Sequence, residues 1–198
     1  FTGTTGAGTT TLTADAADGA HTLTVASLAS FPAETWFQME DTSAASSDFA
    51  FEWHQVKRAS GSTLHLTDPV DGGWAYPLTD TTLTVWLPLE DVLVGGFRME
   101  GEGLQAVGWA LVACSDCLRP VIRDVTAHAF GTYGVRFTRC RDWQMIGGGA
   151  LDATCDLSLA SGADAGYGLL LEEGTMHGTV QGAAFRNTRH GIIGATGA

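Results

Sequence analysis

The residue types best suited to chemistry gather in the second half of the chain. Asp116 and Asp142 each lie eight residues beyond a glycine, Gly108 and Gly134, that opens a similar phrase. If those phrases stack, both carboxylates fall on one outer face, and like charges at short range raise one pKa, as a general acid requires. A retaining glycoside-cleaving site would hold two such groups about 5 Å apart, and an inverting one would set them wider around a water. The plainer reading, which we prefer, makes them solvated corner residues balanced by Arg119, Arg123, Arg139 or Arg141. Glu172 and Glu173 offer a second pair, but neighbours along a strand point to opposite faces and converge only across a bulge.

Trp109 and Trp143 are the candidate glycan-binding residues. An indole face packs well on the apolar face of a pyranose ring, and its N–H donates a hydrogen bond. Trp36, Trp53, Trp74 and Trp86 fall in the first half of the chain, where alternation suggests that at least half are core. His54, His65, His128, His177 and His190 show no metal-ligand spacing. Cys114-Ser-Asp-Cys117 lacks the second pair or nearby histidines that zinc wants, and the βαβ setting of a redox site. With Cys140 and Cys155 it suits either two disulfides or four thiols. No catalytic residue is assigned, and the sequence calls for neither a metal nor a cofactor.

The elements that must carry these residues read as short strands. From Thr11 to Trp86 apolar and polar residues alternate in Thr11-Leu-Thr, His21-Thr-Leu-Thr-Val25, Trp36-Phe-Gln-Met39, Phe51-Glu-Trp-His-Gln-Val56, Thr63-Leu-His-Leu66 and Thr82-Leu-Thr-Val-Trp86. Turn formers separate them at the close spacing of a small antiparallel barrel or sandwich. The second half instead repeats. Gly108-Trp-Ala-Leu-Val-Ala-Cys114, Gly134-Val-Arg-Phe-Thr-Arg-Cys140, Gly168-Leu-Leu-Leu-Glu-Glu-Gly174 and Gly191-Ile-Ile-Gly-Ala-Thr-Gly197 share an outline, at intervals of 26, 34 and 23 residues. A second series sits between them: Val92 to Met99, Val121 to Val125, Met145 to Leu151 and Thr179 to Phe185. The long interval holds 152–164, an insertion expected to protrude. Stacking coils at about 4.8 Å buries apolar residues that no single coil can bury alone, with glycine expected at the corners. In this alignment Cys114 and Cys140 take equivalent inward places, where a disulfide is geometrically conceivable and free thiols are favoured in a reducing cytoplasm. The last phrase begins the repeat again, so further coils are expected after Ala198.

The 198 residues carry 22 acidic and 10 basic side chains, a net charge of -12, which repels phosphate backbones and anionic head groups. Neither nucleic acid nor membrane insertion is expected, since no apolar run approaches the roughly 20 residues that span a bilayer. Phe1 follows no basic and apolar signal segment in this sequence.

The coil series from Asp91 to Ile193, with Asn187 and Gly191 in its last turn, and the phrase Leu12 to Val25 followed by Phe31-Pro32, Glu52, Val56 and Leu64-His-Leu66, carry a resemblance. The chain resembles the pectin-lyase-like right-handed parallel β-helix superfamily, and most of all the β-helical tailspikes and tail fibres of bacteriophages. The fold class implied is all-β: a connector or the end of a preceding coil over 1–10, a small antiparallel β module over 11–88, and a right-handed parallel β-helix over 89–198 that continues beyond. The resemblance further implies a homotrimer located in the phage tail, with other tail proteins and a host surface polysaccharide as partners. It leaves enzymatic activity open, because such folds serve inert shafts, glycoside hydrolases and polysaccharide lyases alike. A lyase of this superfamily often uses Arg or Lys as base beside aspartate-held Ca²⁺. Here the coils hold no lysine, and only Arg123, Arg136, Arg139, Arg141, Arg186 and Arg189 remain, with no compact trio of aspartates. The function expected is a virion structural protein displaying a β-helical shaft for host glycan recognition. The alternatives are a polysaccharide depolymerase of the same fold, or a secreted, extracellular bacterial adhesin or polysaccharide lyase.

Overall fold

The computed structural model describes residues 1–41, 50–70, 80–101, 110–154 and 166–194. Among them every regular element is a strand, and the chain divides into two compact units, Gly3–Pro88 and Phe1–Thr2 with Leu89–Thr196. In the first unit β1 (Thr4–Thr11), β2 (Thr22–Thr24), β3 (Trp36–Asp41), β4 (Ala50–Ser60), β5 (Thr63–Leu66) and β6 (Thr81–Leu87) form an antiparallel sheet in the order β1-β6-β3-β4-β5-β2. Its two edges meet, because Leu12 bridges Val25 while Thr13 N–H donates to Thr24 O and Ala26 N–H to Thr11 O. The sheet thus curls round into a small barrel, joined at the end of β1 to the residues around β2. Leu12, Leu23, Phe37, Met39, Val56, Leu64 and Leu83 are buried in its core.

The segment 1–10, expected as a connector or the end of a preceding coil, is divided between the two units. Thr4–Thr11 is a barrel strand paired with β6, and Phe1–Thr2 belong to the other unit. β-Branched threonines favour the pleated strand. Gly6 and Gly8 admit close neighbours, since a Cβ there would stand 2.8 Å from Val85 Cγ1 and 2.4 Å from Ser30 Cβ.

The second unit is built of parallel ladders. The long face stacks β10 (Ala110–Ser115), β14 (Tyr133–Thr138), β17 (Tyr167–Glu172) and β20 (His190–Gly194). Two short faces stack β8 (Leu93–Gly95), β12 (Val121–Arg123), β15 (Gln144–Ile146) and β18 (Thr179–Gln181), then β9 (Arg98–Glu100), β13 (Thr126–His128), β16 (Gly149–Leu151) and β19 (Ala184–Arg186). Between the long face and the first short face runs a narrow ladder, β7 (Leu89–Glu90) on β11 (Cys117–Leu118), continued by bridges to Arg141 and Met176. This is the parallel β-helix that the repeats imply. Thr2 bridges Ser115 and Leu89 pairs with Cys117, so Phe1–Thr2 and Leu89–Glu100 belong to one coil, and the barrel unit is spliced into its first corner. Later coils turn that corner with Asp116, Arg139, or Glu173 and Gly174.

Two expectations from the repeat are corrected. The step from β10 to β14 is 23 residues, Ala110 to Tyr133, rather than the 26 implied by pairing Gly108, which lies outside the described residues, with Gly134. Glycine is also the usual residue at only one of the corners. Gly96, Gly147 with Gly148, and Gly182 take positive φ between the two short faces, where Asp124 is the exception, whereas Asp91, Asp116, Arg119, Ala129, Arg139, Asp142, Asp152, Glu173, His177 and Asn187 take positive φ, between 48° and 57°, at the other bends. The repeat glycines serve close approach instead, since a Cβ on Gly134 would stand 2.7 Å from Ala150 Cβ and 2.8 Å from Gly168 O.

Inward rows make the core. Val94, Ile122 and Met145 stack in one row, and Ala127 and Ala150 in another, beside Val135, Phe137 and Leu169. Gly148 tests the tightness of this stacking, because at φ 63° its Cβ would meet Val125 O at 2.0 Å. Gly148→Ala is expected to lower the unfolding free energy by about 2–4 kcal/mol. Gly61→Ala, at φ 62° with nothing within 4 Å, should lose only about 1 kcal/mol. Chemical denaturation of both variants checks this, and equal losses would contradict it.

Candidate functional site

Because coils stack in register, each outward residue sits beside its counterpart one strand spacing away, about 4.8 Å. At the first corner the counterparts are Asp116, Arg139 and Glu173. Arg139 Nε donates to Asp116 Oδ1 at 2.7 Å and Nη2 to Oδ2 at 2.8 Å, while Nη1 reaches Glu173. At the second corner Arg119 grips Asp91 through Nε at 2.7 Å and Nη2 at 3.0 Å, and Glu90 at 2.7 Å. Further along it, Asp142 lies 3.7 Å from His177 and 3.7 Å from Arg141. Charge alternates up each corner. Asp116 and Asp142 thus occupy different corners and do not form a carboxylate pair; the balanced reading holds, with Arg139 and Arg141 among the partners.

A third polar row follows β9, β13, β16 and β19. His128 Nδ1 lies 2.5 Å from Glu100 Oε2 and its Nε2 3.1 Å from Asp152 Oδ2, so one imidazole joins carboxylates from the coils on either side. Arg98 binds Glu100, and Asn187 and Arg186 bind Asp152, Arg186 at 3.4 Å. The hydrogen bond to His128, with help from Arg98, lowers the Glu100 pKa, and the one from Asn187, with Arg186 and His128, lowers that of Asp152.

The long face carries the most varied chemistry. Tyr133, Tyr167 and His190 stand in register, with ring centroids 6.0 Å and 5.3 Å apart. The Arg189 guanidinium lies 6.0 Å from the Tyr167 centroid. Toward the other end of the same strands Glu172 accepts from Thr138 Oγ1 at 3.3 Å and faces Arg136 at 3.8 Å. Burial and the charge of Glu172 push the Tyr133 phenol above its usual pKa. Two phenols, an imidazole, a carboxylate and two guanidiniums are thus displayed on adjacent coils. Sequence reasoning passed over the tyrosines, although the signal was present: Tyr133, Tyr167 and His190 each immediately precede a repeat glycine.

Trp143 is placed otherwise than expected. It is 5% exposed, stacks on Phe137 with centroids 4.8 Å apart, and has Gly178 so close that a Cβ there would overlap the indole at 1.7 Å. It has no open face to offer a sugar, and its burial follows from its place just after the Asp142 turn, which swings the side chain into the core. Trp109, Trp74, Cys155 and the expected protruding segment from 155 onward lie outside the described residues. Cys114, Cys117 and Cys140 are buried free thiols. Cys114 pairs with Phe137 and not with Cys140, whose counterpart is Cys117, the residue before the Leu118–Arg141 bridge. A hydrogen bond to Cys117, together with burial, raises the Cys114 pKa, and burial raises that of Cys140. Among the described residues no group of three or more His, Cys, Asp or Glu is placed to hold a metal ion.

No family model and no curated protein matches the chain. Solved structures do. The chain is similar to the tailspike protein gp49 from Pseudomonas phage LKA1, with TM-score 0.73 and 19% identity, over 98% of this chain and 31% of that one. It is similar to the gp54 tailspike of Acinetobacter baumannii bacteriophage AP22, solved in complex with A. baumannii capsular saccharide, with TM-score 0.60 and 15% identity, over 92% of this chain and 34% of that one. A third is the Pseudomonas phage phi297 tailspike gp61, with TM-score 0.54 and 14% identity, over 84% of this chain and 33% of that one. The chain spans about a third of the length of each. At these identities the likeness establishes the fold, that of a β-helical tailspike.

Two outcomes follow from the charged rows. Arg139→Met leaves Asp116, itself 5% exposed, without its bidentate partner and should cost about 3 kcal/mol in denaturant unfolding. Asp116→Asn in that background should recover part of it. The carboxyls of Glu100 and Asp152, lowered on folding, stabilise fully above the ordinary carboxylate range, and that contribution is lost as pH falls through their folded values. Below about pH 4 the melting temperature should therefore fall less steeply in the Glu100→Gln/Asp152→Asn variant than in the parent. A parallel acid limb would contradict the assignment.

Proposed function

We propose that this chain is part of a phage tailspike or tail-fibre subunit whose β-helix forms a stiff homotrimeric shaft, joined to other tail proteins, and presents an outer face to host surface polysaccharide. The observation that carries this reading is the agreement of fold with tailspikes over nearly the whole chain, at TM-score 0.73 across 98% of it. A neighbour of the same fold was captured with capsular saccharide, which supports polysaccharide as the class of partner. The surplus of acidic residues, 22 against 10 basic, argues against nucleic acid.

The physical fit is direct. Coils paired at every strand give a rod whose stiffness does not depend on side-chain packing alone, and its outer rows are free to vary. Polysaccharide recognition needs hydroxyl-directed hydrogen bonds and ring-directed aromatic contacts repeated along one line, which in-register rows supply.

The test is the mass of the complete protein in solution, followed by incubation with purified capsular polysaccharides and lipopolysaccharide O-chains from Pseudomonas and Acinetobacter. A heat-resistant trimer that retains one of these polysaccharides is expected. A monomer that retains none would overturn the reading. Sizing of the retained polysaccharide separates display from depolymerisation: unchanged length means binding alone, and shortened chains mean hydrolase or lyase action by the same fold.

A further inference from the structure

The outer row of the long face sets three aromatic side chains one above another, Tyr133, Tyr167 and His190, with ring centroids 6.0 and 5.3 Å apart. Unlike the buried pairs Trp53–Trp86 and Phe137–Trp143, this row reaches solvent: both tyrosines are half-buried and His190 is exposed. Every ring in it carries a hydrogen-bonding group, and none is phenylalanine. The members come from three successive coils in strict register, so the row runs along the axis of the solenoid. Arg189 adds a guanidinium beside Tyr167, and the Arg136–Glu172 pair adds both signs of charge along the same face.

We propose that Tyr133, Tyr167, His190 and Arg189 form a polysaccharide-binding track, on which one strand of the polymer lies along the coil axis. The inference rests on the surface-polysaccharide reading above and names the residues that would serve it. Successive sugar rings meet successive aromatic side chains. Because the two tyrosine rings stack on one another at 29°, the sugars lie along the ring edges, and the phenol hydroxyls, the imidazole and the guanidinium bond to sugar hydroxyl and carboxylate oxygens. Trp143, closed in the core, takes no part.

Isothermal titration of the complete protein with the same purified capsular polysaccharides and O-chains tests the track through four forms: wild type, Tyr167→Ala, Tyr167→Phe and Gln144→Ala. Gln144 is exposed on β15, in a different sheet, and serves as the control. Tyr167→Ala is expected to weaken binding by about tenfold or more, Tyr167→Phe by a few fold, and Gln144→Ala not at all. Solution mass and near-ultraviolet circular dichroism report whether each variant keeps its assembly and fold. If Tyr167→Ala does not fold, Tyr167→Phe and Arg189→Gln decide the matter, and undiminished binding by both overturns the track. Binding by wild type that Tyr167→Ala leaves unchanged overturns the track and spares the general reading. No binding by wild type overturns both.

Discussion

In-register stacking of coils is the constraint on which the rest of this structure depends. Parallel pairing puts equivalent residues of neighbouring coils about 4.8 Å apart, so whatever stands at one position is repeated, for good or ill, at the next. Inward, repetition gives a continuous core. Outward, it would set like charge against like, and the corners avoid this by alternation: Asp116 against Arg139 against Glu173, and Asp91 against Arg119. His128 does the same between Glu100 and Asp152. Positive φ at the corners costs about 1–2 kcal/mol per residue relative to glycine. The side chains that glycine would forfeit are those that tie one coil to the next.

That choice explains which parts of the structure were legible in the sequence. The barrel strands announce themselves by alternation, and β3, β5 and β6 lie where Trp36-Phe-Gln-Met39, Thr63-Leu-His-Leu66 and Thr82-Leu-Thr-Val-Trp86 place them. The later coils were also readable, since the intervals from Gly134 to Gly168 and from Gly168 to Gly191 agree with the paired registers. The error came from treating glycine as the marker of every corner, when it is usual only at the one between the short faces. Gly134 lies within a strand and is small because Ala150 and the next coil press on it. Aligning it with Gly108 shifted one coil by three residues, enough to stack Asp116 on Asp142 and Cys114 on Cys140 when their true neighbours are Arg139 and Phe137. Arginine at positive φ gives almost no local signal, and its presence at two corners is visible only once register is known.

The same reasoning separates Trp143 from the tyrosines. Alternation assigns side chains to faces only within a strand, and a left-handed residue such as Asp142 resets the count, so the residue after it cannot be assigned from its neighbours. Trp143 follows such a turn and points inward. Tyr133 and Tyr167 precede the repeat glycines and lie in the outer row, each beside the ring of the next coil.

The splice of the barrel at the corner between Thr2 and Leu89 follows from the same geometry. A corner holds one residue, or two in the case of Glu173 and Gly174, outside the long-face ladder, so chain can be inserted there without breaking any pairing between coils. The inserted unit pairs its own sheet ends where Leu12 bridges Val25. Corners are thus the positions at which a solenoid of this kind accepts whole domains, and long faces are the positions at which it accepts new surface chemistry. A scaffold divided in this way lets the outer rows change while the stack beneath them is held by backbone pairing and by small residues at the points of closest approach.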